Sequence, residues 1–412
     1  MSRTAGIDPS ASLQRTTVGV SRLPNKSMPQ ESSTETVTFI FAGGGTGGHL
    51  YPGLAVAEEL QKLLPSCHIH WAATPRTIDQ RLLAAKGDAY IPQGIQPFPR
   101  NPIHWPGFYR SWRQSCRHWE NFFAHSRVSA VLALGGYAAA PASYVASAQH
   151  IPLALLNPDA KMGLANRYLA KRASAIFTQW PMELDSAGEQ KCVVTGVPLR
   201  PSLFHRSREK ALTALGLSPD RRTLVITGAS LGAGTINDAW CRLMTDTQML
   251  KVLQNPTAPW QVLHLTGASQ YEKVRGVAAA SAVGWWKVMD YCDDMGNVWA
   301  AADMAITRAG AGLCAELEAC GVPAILLPYP YHRDRHQHAN AQRLAAHGAA
   351  VMLEDRCDAV ANSEAIKKTL MELLVADGRR NAMREAGLAN GKTEAAGQIA
   401  RWLCRASGRP IA

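Results

Sequence analysis

The amino-acid sequence predicts an α/β protein with two Rossmann-like, doubly wound domains that face a cleft. Three observations lead to this prediction. The chain has 412 residues, which is long for a single hydrophobic core. From Thr36 onward, short apolar runs alternate with longer helical stretches, a pattern typical of parallel sheets with crossover helices. Each half also has a glycine-rich turn between a strand and a helix, near residues 43–49 and 228–234.

The apolar pattern predicts a series of elements in each half. In the first half we expect strands near 36–42, 67–72, 128–134, 152–156, 175–178 and 191–195, and helices near 50–64, 76–86, 109–125, 138–149 and 164–172. In the second half we expect strands near 223–227, 261–265, 286–291, 303–307, 324–327 and 349–353, and helices from 236 and near 311–320, 339–347 and 394–405.

These elements imply domain boundaries. We expect a first domain over residues 36–198 and a second over 199–393, with a hinge at 198–201. Residues 1–35 are rich in Ser, Thr, Pro and Gln, which predicts a disordered extension and not a secretory signal. The last helix, within residues 394–412, could pack back on the first domain.

Composition and charge favour some classes of function and argue against others. The net charge of +11 favours an acidic partner such as nucleic acid, anionic lipid or a phosphorylated substrate. The nine cysteines include no Cys-x-x-Cys pair, which argues against a disulfide framework or a zinc site. Residues 128–149 carry no charge over a membrane-spanning length. Their glycines, proline and serines instead predict a buried strand, a turn and a helix.

The turn after the first strand resembles a phosphate cradle. Gly43, Gly45 and Gly48 fit the dinucleotide fingerprint, and such a turn presents backbone N–H groups to an anion. The fingerprint also needs an acidic residue after the second strand, and residues 67–75 contain none. The sequence therefore favours a phosphate compound other than NAD. His49, at the helix N-terminus, is expected to be a neutral imidazole that acts as a general base, as a hydrogen-bonding group, or as a cap.

Three further stretches could carry function. Glu316 follows the glycine-rich loop 307–312, where it could bind both ribose hydroxyls or serve as an ordinary helix carboxylate. Residues 329–340 mix histidines, arginines and an acid without an established metal spacing, so a polar loop lining the cleft is favoured over a metal site. Residues 98–123 interleave aromatic and basic side chains, which suits an anionic membrane surface or an ordinary amphipathic helix. No nucleic-acid module is recognised.

Ordered segments across the chain then match a known family. They are Gly44-Gly-Thr-Gly-Gly-His-Leu-Tyr-Pro-Gly-Leu-Ala-Val-Ala57, Leu134-Gly-Gly-Tyr137, Gly163-Leu-Ala-Asn166, Thr195-Gly-Val-Pro-Leu-Arg200, Thr227-Gly-Ala-Ser-Leu-Gly232, Asp293-Asp294-Met295, Thr307-Arg-Ala-Gly-Ala311 with Glu316, and His336-Gln337 with Asn340. From about residue 37 to the C-terminus the chain resembles the MurG family, which has the glycosyltransferase B fold. The resemblance implies a hexosyltransferase that moves N-acetylglucosamine from UDP-N-acetylglucosamine to the 4-hydroxyl of lipid I. Lipid I is undecaprenyl-diphosphate-linked N-acetylmuramoyl-pentapeptide, and the product of this inverting reaction is lipid II, a precursor of peptidoglycan.

The resemblance also implies a set of site residues. The implied substrate contacts are Thr46, Gly47, Gly48, Asp159, Arg200, Ser230, Cys292, Ala311, Glu316, His336 and Gln337. In this set Arg200 and Ser230 hold donor phosphate and sugar, the Cys292 backbone lies beside uracil, and Glu316 takes the ribose hydroxyls. His49 is the implied general base. The family usually has Glu-Gln-Asn where this chain has Asn157-Pro158-Asp159, so Asp159 is a second candidate for the base.

The same resemblance sets expectations for partners. They are the UDP-sugar donor, the lipid I acceptor, an anionic membrane surface at the cytoplasmic face of the cell membrane, and other wall-synthesis proteins, without nucleic acid. No cofactor is expected to be required, and stimulation by a divalent cation is left open. Two alternatives remain: a glycolipid synthase of the same fold with a diacylglycerol acceptor, and a non-catalytic scaffold of the wall-synthesis machinery.

Overall fold

The computed structural model describes residues 37–45, 47–84, 89–184, 186–229, 232–331 and 334–408. The predicted extension over residues 1–35 and the predicted contacts Thr46 and Ser230 lie outside these residues. The elements and contacts given below belong to the described part of the chain.

The described residues of the first half form a seven-stranded parallel sheet. Its strands are β1 (Thr38–Gly43), β2 (His68–Ala73), β3 (Ala89–Pro92), β4 (Val128–Gly135), β5 (Leu153–Asn157), β6 (Ala175–Thr178) and β7 (Cys192–Val194). They lie in the order β3-β2-β1-β4-β5-β6-β7, and all neighbouring strands are parallel. Residues 39–42 and 130–134 are buried throughout, because helices cover both faces of the sheet.

Helices follow most of these strands. They are α1 (Gly47–Leu63), α2 (Thr77–Ala84), α3 (Trp105–His125), α4 (Ala140–Ala148), α5 (Leu164–Ala170) and α6 (Ser186–Glu189). The uncharged stretch 128–149 divides into β4, a single 3-10 turn and α4, as predicted. Of the helices in the described ranges, none combines the length and apolar character needed to cross a bilayer.

A six-stranded parallel sheet forms from the described residues of the second half. Its strands are β8 (Arg222–Thr227), β9 (Trp260–Leu265), β10 (Trp286–Met289), β11 (Met304–Thr307), β12 (Ala324–Leu326) and β13 (Ala350–Met352), in the order β10-β9-β8-β11-β12-β13. Its helices are α7 (Arg208–Leu215), α8 (Gly234–Leu243), α9 (Thr247–Leu253), α10 (Tyr271–Ser281), α11 (Met295–Ala301), α12 (Ala311–Cys320), α13 (His336–Ala346), α14 (Ala359–Val375) and α15 (Asp377–Asn390).

The final helix, α16 (Ala395–Ala406), returns to the first half. Its buried face is Ala395, Ala396, Ile399, Ala400, Leu403 and Cys404, a spacing that forms one helical stripe. The helix packs against α1, and the last four residues of this stripe belong to the same core cluster as Phe39 and Leu132 of the first sheet. Trp402 also makes an edge contact with Phe177 of β6, at 6.0 Å between ring centroids.

Both sheets reverse their winding direction at an equivalent point. In the first sheet the switch lies between β1 and β4, and in the second it lies between β8 and β11. Ligands of doubly wound sheets bind beyond the carboxyl ends of the strands at such points. The loops that follow these four strands are therefore the ones expected to carry the site.

The predicted fold class is confirmed: the chain forms two doubly wound parallel α/β sheets. The boundaries at residues 198 and 393 stay predictions. The sequence pattern did not indicate β3, because this short edge strand is half-exposed and lacks an apolar run. It also did not indicate α6, α10 and α15. Four further helices that it missed, α7, α9, α11 and α14, have N-caps that are visible in the sequence. Each begins after a residue whose side chain accepts a first-turn N–H, namely Ser207, Asp246, Asp294 and Asp358.

Candidate active site

The glycine-rich loop joins β1, which ends at Gly43, to α1, which begins at Gly47. One of its N–H groups is already occupied. Gly45 N–H donates to both carboxylate oxygens of Asp79, at 3.0 and 2.8 Å, and Thr74 donates to Asp79 through its N–H and its hydroxyl. Asp79 is fully buried, so it fixes the shape of the loop from behind. The described residues Gly47 and Gly48, at the start of α1, line a cavity.

His49 lies over Gly135, the last residue of β4, and Gly136, the residue after it. A Cβ added at Gly135 would lie 3.1 Å from His49 Cδ2, and one added at Gly136 would lie 3.4 Å from Cε1. Both glycines have positive φ, at 103° and 76°, which other residues rarely adopt. This glycine pair therefore makes room for the imidazole.

The protonation state of His49 follows from its surroundings. Its Nδ1 lies 3.3 Å from the Gly44 carbonyl oxygen, which can only accept, so the ring donates from Nδ1. Burial lowers the pKa of His49, and the charges of Asp159 and Asp79 oppose this effect more weakly. A neutral ring that donates from Nδ1 carries its lone pair on Nε2, the atom that could accept a proton.

A cavity of about 210 Å³ lies where loops from the two sheets meet. Six of the predicted substrate contacts line it: Gly47, Gly48, Arg200, Cys292, Ala311 and Glu316. Two tyrosines that the sequence did not single out also line it, and the Tyr51 and Tyr291 hydroxyls are 3.0 Å apart. The Arg200 guanidinium lies 5.0 Å from the centre of the Tyr51 ring, which holds this cation at the cavity wall.

Glu316 lies on α12 and is half-buried at one side of the cavity. Trp299 Nε1–H donates to its Oε2 at 2.7 Å. Burial raises the pKa of Glu316 to about 6, while the Trp299 hydrogen bond and the Arg200 charge lower it in part. When Glu316 is ionised, its other carboxylate oxygen can accept hydrogen bonds from hydroxyl groups.

The N-terminus of α12 points its first N–H groups toward the same cavity. Its cap, Gly310, and its second residue, Gly312, both have open space where a Cβ would lie. A diphosphate can therefore approach this backbone closely, at the positive end of the helix. Cys292 also lines the cavity, and its thiol donates to the Asp294 carbonyl oxygen at 3.6 Å. Burial raises the pKa of this thiol.

Asp159 connects the two halves. Its Oδ1 accepts a hydrogen bond from Asn340 Nδ2 at 2.9 Å, and that nitrogen also donates to the Ala309 carbonyl oxygen at 3.0 Å. Asn340 Oδ1 in turn accepts from Ala160 N–H at 2.8 Å. The negative charge of Asp159 therefore acts on His49, while one carboxylate oxygen of Asp159 is hydrogen-bonded to the buried Asn340.

Four described residues of the predicted site do not line the 210 Å³ cavity: His49, Asp159, His336 and Gln337. Gln337 Oε1 accepts N–H groups from Ala309 and Tyr329, at 3.3 and 2.9 Å, so its carbonyl oxygen holds the loop before α12. His336 Nδ1 lies 2.8 Å from Asp334 Oδ1. The structure therefore brings six of the predicted residues around one cavity, and it leaves the two candidate bases, as well as His336 and Gln337, outside its wall.

The fold and the site together are those of a nucleotide-sugar glycosyltransferase with the B fold. Family models agree: the N-terminal domain of glycosyltransferase family 28 matches residues 39–178, and its C-terminal domain matches residues 223–399. The chain belongs to the MurG family within glycosyltransferase family 28.

Individual proteins support this assignment. The chain is 33% identical over 365 residues to the UDP-N-acetylglucosamine--N-acetylmuramyl-(pentapeptide) pyrophosphoryl-undecaprenol N-acetylglucosamine transferase of Thermodesulfovibrio yellowstonii, covering 87% of this chain and 96% of that one. It is 34% identical over 326 residues to the enzyme of the same name from Leifsonia xyli, covering 77% and 85%. A solved structure of Acinetobacter baumannii MurG matches with a TM-score of 0.67 at 25% identity, covering 90% and 99%.

Proposed function

We propose that this chain transfers N-acetylglucosamine from UDP-N-acetylglucosamine to the 4-hydroxyl of lipid I and so makes lipid II. One observation carries the proposal above the others. In a chain of the MurG family, Arg200, Glu316 and the N-terminus of α12 surround a cavity that also reaches Gly47 and Gly48 of the first half. These groups match the charge and hydrogen-bonding needs of a nucleotide diphosphate sugar.

The donor binds mainly to the second half in this proposal. Glu316 accepts hydrogen bonds from the ribose hydroxyls, and the uracil lies beside the Cys292 backbone. Arg200 and the first N–H groups of α12 bind the diphosphate, together with Gly47 and Gly48. As UDP leaves, negative charge grows on the diphosphate, and these fixed positive groups stabilise it without rearranging.

The remaining predicted residues complete the proposed site. Thr46 and Ser230, outside the described residues, are proposed to contact the diphosphate and the donor. His336 and Gln337 are proposed to contact the sugar, and for Gln337 the amide nitrogen is the available group because its oxygen binds the backbone.

The proposed chemistry is a direct displacement with inversion. The acceptor 4-hydroxyl loses its proton to a base as its oxygen forms a bond to C1 of N-acetylglucosamine. At the same time the bond from C1 to the UDP oxygen breaks, and UDP leaves with the electron pair. His49 Nε2 suits the base because the ring is neutral, and Asp159 is the alternative base.

We also propose that no cofactor is required, since Arg200 and α12 supply positive charge at the diphosphate. Turnover of the purified protein is expected to stay within about twofold when a chelator removes divalent cations. A larger loss, restored by added magnesium, would contradict this expectation and indicate a metal in the reaction.

We propose that the protein binds the lipid-linked acceptor at a membrane surface. Five large apolar side chains are exposed at the start of α3 and on α5, namely Phe98, Trp105, Tyr109, Leu164 and Tyr168. Phe98 contacts Trp105, and the Arg172 guanidinium lies 4.9 Å from the centre of the Tyr168 ring. Exposed rings beside arginines suit the headgroup level of an anionic bilayer. We propose binding at the cytoplasmic face of the cell membrane.

A transfer assay tests the proposal. Purified protein is given UDP-N-acetylglucosamine with either a soluble lipid I analogue or diacylglycerol in mixed micelles. Transfer to the lipid I analogue alone is expected. Transfer to diacylglycerol alone would indicate a glycolipid synthase, and a folded protein that neither transfers nor hydrolyses the donor would indicate a scaffold.

A further inference from the structure

A second cavity lies apart from the active site, beside the segments that connect the two halves. Its volume is about 380 Å³, and its wall includes Gln179, Trp180, Val197, Ala315, Glu318 and Lys392. A water molecule occupies about 30 Å³ in the liquid, and ligand pockets begin near 300 Å³. The cavity therefore has room for a small molecule.

Two buried acceptors at this cavity lack donors. Gln179 and Glu318 are each 4% exposed. The Gln179 side chain hydrogen-bonds the Glu318 carboxylate, yet Glu318 Oε1 and Gln179 Oε1 accept no hydrogen bond from any residue that the structure describes. Leaving such a buried acceptor unpaired costs about 1–3 kcal/mol, and more when it is charged.

The neighbouring basic side chains do not meet this need. His347 Nδ1 lies 3.6 Å from Glu318 Oε1, which is longer than a hydrogen bond. Lys392 is exposed and acts on Glu318 only through its charge. Burial is the larger effect and raises the pKa of Glu318 to about 7. Oε1 of the ionised carboxylate therefore has no hydrogen-bond donor among the described residues, and no described Lys or Arg forms an ion pair with it.

We infer that this cavity binds a small primary amine, with its ammonium group between the Glu318 carboxylate and the Gln179 carbonyl oxygen. An ammonium group brings three N–H donors and the missing charge. Trp180, Val197 and Ala315 offer an apolar wall to the alkyl part, and the indole ring attracts cations.

The amine site is separate from the proposed donor site. Glu316 and Glu318 are two residues apart on α12, so they point about 200° apart around the helix. Glu316 lines the active-site cavity and Glu318 lines the second cavity. Binding of an amine therefore tests this inference independently of transferase activity.

Calorimetric titration with n-butylammonium at pH 8.5 provides the test, since Glu318 is ionised there and the amine keeps its charge. We expect saturable binding with a dissociation constant in the millimolar range. Tetramethylammonium, which has no N–H, and butanol, which has no charge, are expected to bind at least tenfold more weakly. Absent saturation with n-butylammonium, or equal binding of tetramethylammonium, would overturn the inference.

Matched variants complete the test. Glu318→Gln keeps the side-chain shape but removes the charge, and it is expected to weaken n-butylammonium binding at least tenfold. Glu364→Gln, on the exposed face of α14, is the control and should bind like the wild type. Gln179→Met removes the other acceptor, and it is the variant used for the binding test if Glu318→Gln fails to fold. Unchanged binding in the folded variants, or a crystal grown with the amine that holds only water in the cavity, would refute the site.

Discussion

His49 is the residue on which the proposed chemistry depends most. His49→Ala is expected to lower kcat by on the order of 10²-fold or more, the scale of losing a general base. Its neutral ring, with the lone pair on Nε2, is the physical reason. Steady-state kinetics with the lipid I analogue measures this effect. His68→Ala, an exposed histidine at the start of β2, is the control and should leave kcat unchanged.

Asp159 supplies the competing outcome. Asp159→Asn keeps a group that can face Asn340, so it is expected to lower kcat less than His49→Ala. Wild-type turnover in His49→Ala, together with a large loss in Asp159→Asn, would assign the base to Asp159 instead.

Glu316 should give donor binding a pH dependence. Its pKa is raised to about 6, so the carboxylate is present above that pH and is lost as the pH falls through it. The protonated acid is a poor acceptor of hydrogen bonds from the ribose hydroxyls. KM for UDP-N-acetylglucosamine is therefore expected to rise about tenfold per pH unit well below pH 6. KM measured from pH 5 to 8 checks this. Glu316→Gln should have a high KM that varies little with pH, and a flat wild-type KM would contradict the role.

At the residue scale, the sequence indicated which residues belong to the site better than it indicated which residues they contact. Asp79 was missed, although an acid soon after the second strand was the signal that could have found it. The sequence cannot show that this carboxylate turns back to bind Gly45, because that contact joins positions 34 residues apart. Likewise, only the folded chain reveals that the Gln337 carbonyl oxygen accepts hydrogen bonds from the backbone N–H groups of Ala309 and Tyr329.

Helix α3 is the element that carries the proposed membrane contact. Its buried face is Ser115, Cys116, Trp119 and Phe123, and its arginines at 110, 113 and 117 are exposed. The aromatic residues thus divide: Trp119 and Phe123 are buried, whereas Trp105 and Tyr109 are exposed, as the arginines are. One face of α3 packs on the sheet, as in an ordinary amphipathic helix. Contact of the open face with a membrane stays a prediction.

The arginines of α3 are expected to contribute to vesicle binding. Changing Arg110, Arg113 and Arg117 to Gln should weaken binding to phosphatidylglycerol vesicles by on the order of 10²-fold at low salt, at about 1 kcal/mol for each basic residue. The difference should shrink as salt rises, because salt screens exposed charges. Vesicle sedimentation measures the binding.

A control set is available for that experiment. Arg242, Arg275 and Arg379 are exposed and lie on helices of the second half, so the same substitutions there match the change in net charge. An equal loss of binding in this control would mean that total charge matters and that α3 is not the contact.

At the scale of the whole molecule, the end of the chain completes the core of its beginning. Leu403 of α16 is fully buried in the cluster that contains Phe39 and Leu132. Leu403→Ala should lower the free energy of unfolding by about 2–5 kcal/mol, the usual cost of such a cavity. Chemical denaturation measures this change, with Arg401→Ala on the exposed side of α16 as the control. A change below 0.5 kcal/mol would contradict the packing of α16 on the first half.

The sequence by itself determined the fold class, the glycine turns and the family. Apolar periodicity and glycine placement are local properties, and the printed order of residues contains them. Only the tertiary structure decided which of the predicted contacts share a cavity, which histidine nitrogen carries the lone pair, and how Asn340 ties Asp159 to the second half. These features depend on burial and on contacts between distant segments, which exist only after the two sheets and α16 have packed.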